Sequence, residues 1–143
     1  MPTIQYSKRD LLRDKIVPPS WYLVQIDVVG DWALSKDGKS NNMVLEGTIV
    51  RDAENGSEEF KDVPIGGMGA WSFNTKALGF SLGLVKACAA QLGFSPEEIT
   101  PESKIEMKHL EGKYVEMHII NDTYEGRMKN KADHGYRAPK VAV

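Results

Sequence analysis

Residues 113–120, KYVEMHII, set Tyr114, Glu116, His118 and Ile120 against Val115, Met117 and Ile119 in strict alternation. A period of two belongs to a pleated strand with one face buried, and it restricts the chain's second half to β-pairing. NDTYEG (121–126) supplies turn chemistry, and RMKNKADHGY (127–136) can pair back as a long polar strand. The same period recurs upstream in WYLVQIDVV (21–29), where Tyr22, Val24, Ile26 and Val28 share a parity opposed by Gln25 and Asp27. SKDGKSNN (35–42) is a turn, with Gly and Asn able to take positive φ, and MVLEGTIV (43–50) completes a hairpin. DAENGSEE (52–59) makes another polar turn, and FKDVPI (60–65) is expected as a third strand whose Pro64 marks an edge or bulge.

Between the two β-regions the period changes. GGMGAWSFN (66–74) is expected as a flexible loop carrying two aromatics. From Thr75 to Leu92, the residues Leu78, Leu82, Val85, Ala89 and Leu92 recur at helical spacing, and Gly93 is a natural C-terminal stop. Ser95-Pro96-Glu97-Glu98 can open one helical turn. At the other end, residues 3–16 form a short helix or ordered arm closed by Pro18-Pro19.

Three strands, a helix and two further strands suggest a mainly β fold: a five-stranded antiparallel barrel of the oligonucleotide/oligosaccharide-binding (OB) type, with one α-helix between strands three and four. An open α+β sheet packed by one helix is the alternative. Residues 1–17 are then an N-terminal arm, and residues 18–140 a single OB-like domain. A chain of 143 residues with 41% apolar content can bury a core without disulfides or metal. Cys88 is the only cysteine and lies in the apolar run VKACAAQLG, as a small buried thiol would. No signal-peptide core or run of 18 apolar residues occurs, so the expectation is an intracellular protein with no membrane partner.

Sequence motifs for catalysis are weak. Gly38-Lys39-Ser40 resembles the end of a phosphate loop, but Ala33 replaces the required earlier glycine and a strand follows instead of a helix. Gly67-Met68-Gly69 lacks the parallel βαβ unit that a dinucleotide fingerprint needs. His109, His118 and His134 match no metal-ligand spacing, and no nucleophile stands beside a base. The expectation is a non-catalytic protein with no cofactor and no metal.

Charge distribution is more informative. The chain carries −2 overall, yet residues 124–140 hold five Lys/Arg against two Asp/Glu. Arg127, Lys129 and Lys131 share a parity on the last strand and would project from one face. Cations that track phosphates, beside rings on which bases stack, are what single-stranded nucleic acid requires. Lys36 and Lys39 on the first hairpin can supplement the cations, and Tyr124, Tyr136 and Trp71 are the stacking candidates.

Lys36 and Gly38, Met43 and Leu45, Leu92-Gly93, Leu110, Gly112, Lys113 and Val115, and the closing Tyr124, Gly126, Asn130, Tyr136 and Pro139 together resemble a family of small phage-encoded proteins. That family is described mainly as a domain of unknown function, and the likeness runs over residues 17–139. Two departures stand out: Trp21 occupies the place of a usual glycine, and Ala132-Asp133-His134-Gly135 lengthens the last strand. The resemblance implies a single-stranded-DNA-binding barrel encoded among phage replication and recombination genes and acting in the bacterial host's cytoplasm. Two other readings remain. One is an adaptor for replication or recombination proteins, anchored by Met68, Trp71 and Phe73. The other is a virion structural or decoration protein whose N-terminal arm exchanges within a homo-oligomer.

Overall fold

A computed structural model describes residues 1–140. Its elements are α1 (Lys8–Leu12), β1 (Ser20–Val29), β2 (Ala33–Leu34), β3 (Asn41–Asp52), β4 (Pro64–Gly66), β5 (Ser72–Asn74), α2 (Gly79–Leu92), β6 (Tyr114–Tyr124) and β7 (Arg127–Arg137). The fold is mainly β, with one long helix and a seven-stranded sheet whose pairings are all antiparallel. Its main path runs β2-β3-β1-β6-β7, and β4 and β5 both pair with β3.

The alternation seen in the sequence fixes which faces are buried. Val115, Met117 and Ile119 on β6 are fully buried, as are Val24 and Ile26 on β1, with Tyr22 nearly so. A bulge at Asp27 then adds one residue to β1, between the Ile26–Gly47 and Val28–Glu46 pairs. The extra residue reverses the parity, so Val28 is 43% exposed and Val29 enters the core. β6 turns into β7 through Glu125 and Gly126, both at positive φ (51° and 76°), as a two-residue hairpin requires.

Two expectations need correction. The third strand expected over 60–65 is a turn through Asp62, at φ 73°; Asp62 and Val63 exchange main-chain bonds with Ile49, and the strand itself is Pro64–Gly66. Phe60 and Val63 still pack against the core, so their apolarity reflects burial and carries no information on backbone shape. The supposed flexible loop at 66–74 contains β5, and its aromatics Trp71 and Phe73 are core residues. Gly47 makes this possible: a Cβ there would lie 3.1 Å from the Trp71 ring and 2.7 Å from the Gln25 carbonyl oxygen.

Helix α2 begins four residues later than its pattern, after a 3₁₀ turn at Thr75–Ala77, and ends at Gly93 in the left-handed conformation (φ 88°). It buries Leu84, Val85, Ala87, Cys88 and Ala89, while Leu78 and Leu82 are exposed. The Gln91 amide fixes it to β6, accepting from Tyr114 N at 2.8 Å and donating to Tyr114 O at 2.6 Å.

The sheet path does not close. β7 approaches the β4–β5 connection, where Ala132 N donates to Ala70 O at 2.8 Å, the one main-chain bond between them among the described residues. No described helix is long and apolar enough to cross a membrane.

Candidate nucleic-acid interface

Strand β7 carries the basic residues, and its pairing with β6 sets their direction. Ile119 faces Ala132 on the inner side; Ile120–Lys131, Asp122–Lys129 and Tyr124–Arg127 are paired on the outer side. Arg127, Lys129 and Lys131 therefore share a face, as their spacing requires. Their surroundings differ. The Lys131 ammonium lies 3.4 Å from an Asp122 carboxylate oxygen. Lys129 instead leans over the Tyr124 ring, 5.4 Å from its centroid, and its ammonium packs so closely on Gly69 that a Cβ there would lie at 2.9 Å. Arg127 is exposed and forms no ion pair among the described residues.

Three adjoining depressions connect these residues to the first hairpin. One is bounded by Leu34, Lys36, Asp37, Met68 and Lys76. A second shares Met68 and includes Arg13, Asp14, Lys15, Met128 and Lys129. A third shares Asp14 and Lys129 and includes Tyr124, Glu125 and Arg127. Lys36, Lys76, Arg127 and Lys129 form no ion pair among the described residues, so their charge is open to an outside anion. Lys39 is exposed on the same turn as Lys36, and its N–H donates to the Asp37 carboxylate at 2.9 Å. Hydrogen bonds from Ser35 and from the Lys39 N–H hold the Asp37 carboxyl below its usual range, keeping one negative charge in this turn.

Two stacking candidates are corrected. Trp71 is 0% exposed, and its Nε1–H donates to the Tyr136 hydroxyl at 2.8 Å. Tyr136 is on the inner side of β7, opposite Met117, where burial pushes its hydroxyl pKa up. The Trp71 ring cannot receive a base, because it fills the core; Tyr136 is half-buried against that core, with its hydroxyl taken up by Trp71. The same burial removes Trp71 and Phe73 from the adaptor anchor and leaves Met68, which is 63% exposed. Tyr124 remains a stacking candidate at 64% exposure, and Trp32 is also exposed.

Of the four added residues, Ala132 is paired with Ile119, and 133–135 form a bulge before the Met117–Tyr136 pair, with His134 at φ 55°. His134 stacks on Phe80 at 4.9 Å, and its Nδ1 lies 3.2 Å from the Tyr136 hydroxyl. A neutral imidazole with its proton on Nε2 would accept the Tyr136 hydroxyl proton at Nδ1 while that oxygen accepts from Trp71. Burial lowers the His134 pKa, in keeping with that neutral form. Beyond the bulge, Arg137 Nε donates to Glu116 and Nη2 to Glu54, both at 2.6 Å, while the guanidinium stacks 4.2 Å from the Trp21 ring. His118 pairs with Asp133 at 3.0 Å, and no group of three or more His, Cys, Asp or Glu among the described residues could hold a metal ion. Burial pushes the Cys88 thiol up to about 12, which leaves it unreactive at neutral pH.

Lys76, Met128, Arg13 and Lys15 line this path and were not singled out in the sequence. They come from three separate segments, and no periodicity links them. No protein-family model matches this chain, and no curated protein matches it in sequence.

Proposed function

We propose that this protein is a non-catalytic single-stranded-DNA-binding accessory of phage replication or recombination. Its sheet is read as an OB-like barrel with its seam at Ala70–Ala132. The pairing order supports that reading: β1 lies between β3 and β6, β6 pairs with β7, and the β4–β5 segment joins β3 to the edge of β7. One observation carries the functional reading: Lys36, Lys76, Lys129 and Arg127 form no ion pair among the described residues and border three depressions that share lining residues, the last of them at the exposed Tyr124 ring. A phosphate backbone would follow the cations, and a base would stack on Tyr124.

The test is fluorescence anisotropy of labelled oligo-dT and of a matched duplex over a salt series. The expected result is preference for the single strand, with log Kobs falling by about 0.7 per phosphate neutralised for each tenfold rise in salt. Equal affinity for duplex, or no binding by the folded protein, overturns the reading.

A further inference from the structure

The depression beside Lys129 has a second wall, built by the N-terminal arm. Val17 is fully buried, and its N–H donates to Asn130 Oδ1 at 3.0 Å. Asn130 Nδ2 donates to Lys15 O at 2.8 Å, and Asn121 Nδ2 to Val17 O at 2.9 Å, so residues 15–17 are fixed to both final strands. Upstream, α1 buries no residue. It is placed by Lys8–Asp62 at 2.6 Å and by Arg9, which donates to Thr48 Oγ1 at 2.9 Å and lies 3.5 Å from Asp27. Arg13 caps the C-terminal end of α1, between these two anchors. It is exposed, and its guanidinium makes no ion pair or hydrogen bond among the described residues.

Charge favours one side of the arm over the other. Towards β7 the depression holds Arg13 and Lys129 against Asp14 alone, since Lys15, which also lines it, turns its ammonium over the Phe60 ring at 6.0 Å. Towards β3 and β4 it holds Arg9 and Arg13 against Asp10, Asp14 and Glu46. A polyanion is attracted to the first and repelled by the second. We propose that Arg13 contacts phosphates from the arm's side of the depression that Lys129 borders on β7, so that a single strand is clasped between the arm and β7. This rests on the nucleic-acid reading above.

The experiment compares wild type, Arg13→Ala, Arg13→Ala/Lys15→Ala and Lys129→Ala by oligo-dT anisotropy over a salt series, with thermal melts to show that each is folded. Arg13→Ala is expected to weaken binding several-fold at low salt and to flatten the log–log slope by about 0.7, one phosphate's worth. In a parallel digestion, saturating oligo-dT should protect the wild-type chain from trypsin after Arg13. If Lys129→Ala weakens binding while both arm variants keep wild-type affinity and slope, the second wall is overturned and the groove stands. A loss of affinity in Arg13→Ala with an unchanged slope also overturns it, since the contact would not be to phosphate. If wild type binds no oligo-dT, both readings fall.

Discussion

The two halves of β7 look alike in sequence and behave differently in the fold. Residues 127–131 carry Arg127, Lys129 and Lys131 with Tyr124 just upstream, and residues 133–137 carry Arg137 next to Tyr136. In the first half, Arg127 is exposed and Lys129 half-exposed, both without a carboxylate partner among the described residues, beside the exposed Tyr124. In the second, Arg137 is held by two carboxylates and an indole, and Tyr136 is inside. The bulge at 133–135 lies between them. A basic, aromatic segment is therefore two structures, and only the first has charge to offer a ligand.

The largest effects should come from the second half and its partners. Trp71→Ala removes a fully buried ring, which costs about 3–5 kcal/mol by urea denaturation. Any molecules still folded should bind oligo-dT as wild type does; a selective loss of affinity at full stability would restore Trp71 as a stacking residue. Arg137→Ala leaves Glu116, which is 4% exposed, without its charge partner. Glu116 keeps the Lys140 N–H, and losing the half-exposed Arg137 partner costs about 1.5–3 kcal/mol. A melting temperature unchanged by that substitution would show that the lock at this end of β7 is not structural. Tyr136→Phe deprives the Trp71 N–H of its acceptor at a cost of about 1–2 kcal/mol, again without change in affinity.

The first half should respond the other way. Lys129→Ala is expected to leave stability within about 0.5 kcal/mol of wild type, as surface changes do. It should also flatten the salt dependence of oligo-dT binding by about 0.7. Lys131→Ala, whose charge is engaged by Asp122, should change neither by a comparable amount. Equal effects of the two lysines on the slope would mean that the whole strand face meets the ligand.

The smallest effect concerns the bulge itself. His134 has a lowered pKa in the fold, so the unfolded chain binds its proton more readily below the ordinary value of 6.5. Its contribution to stability is full above that value and declines as pH falls through it towards the lower folded value. Lys131 and Asp133 are the charged groups acting on it, and Phe80, Phe73 and Tyr136 are the rings packed against it. Thermal melts between pH 7 and pH 5 should show a smaller pH dependence for His134→Asn, in which Asn can keep the positive φ. Parallel curves for the two proteins would remove His134 from the account.

Much of the fold was legible because burial imposes a period. Val115, Met117 and Ile119 gave the buried face of β6, and Gly93 marked where α2 stops. The third strand was misplaced because Phe60 and Val63 are apolar for the sake of the core, while the backbone there turns at Asp62. Of the candidate site, Arg127, Lys129, Lys36 and Tyr124 were found, since parity and turn chemistry place them outside. Trp71 was misassigned because its glycine-rich surroundings suggest an exposed loop, and Tyr136 was chosen because it ends the basic strand, where its ring turns inward. Here Gly47 serves the opposite purpose, opening space for the Trp71 ring against the sheet.

By itself, then, the sequence determined the alternation of strands, the single helix and the clustering of positive charge near residue 130. These are local properties: they depend on spacing along the chain and on the chemistry of adjacent residues. Only the tertiary structure decided which cations stay free, which rings are buried, and that the arm's Arg13 borders the same depression as Lys129. Those outcomes depend on pairs separated by many residues, such as Asn130 with Lys15 and Tyr136 with Trp71. No local pattern encodes such pairs, because they come together only when the chain buries its apolar faces against one another.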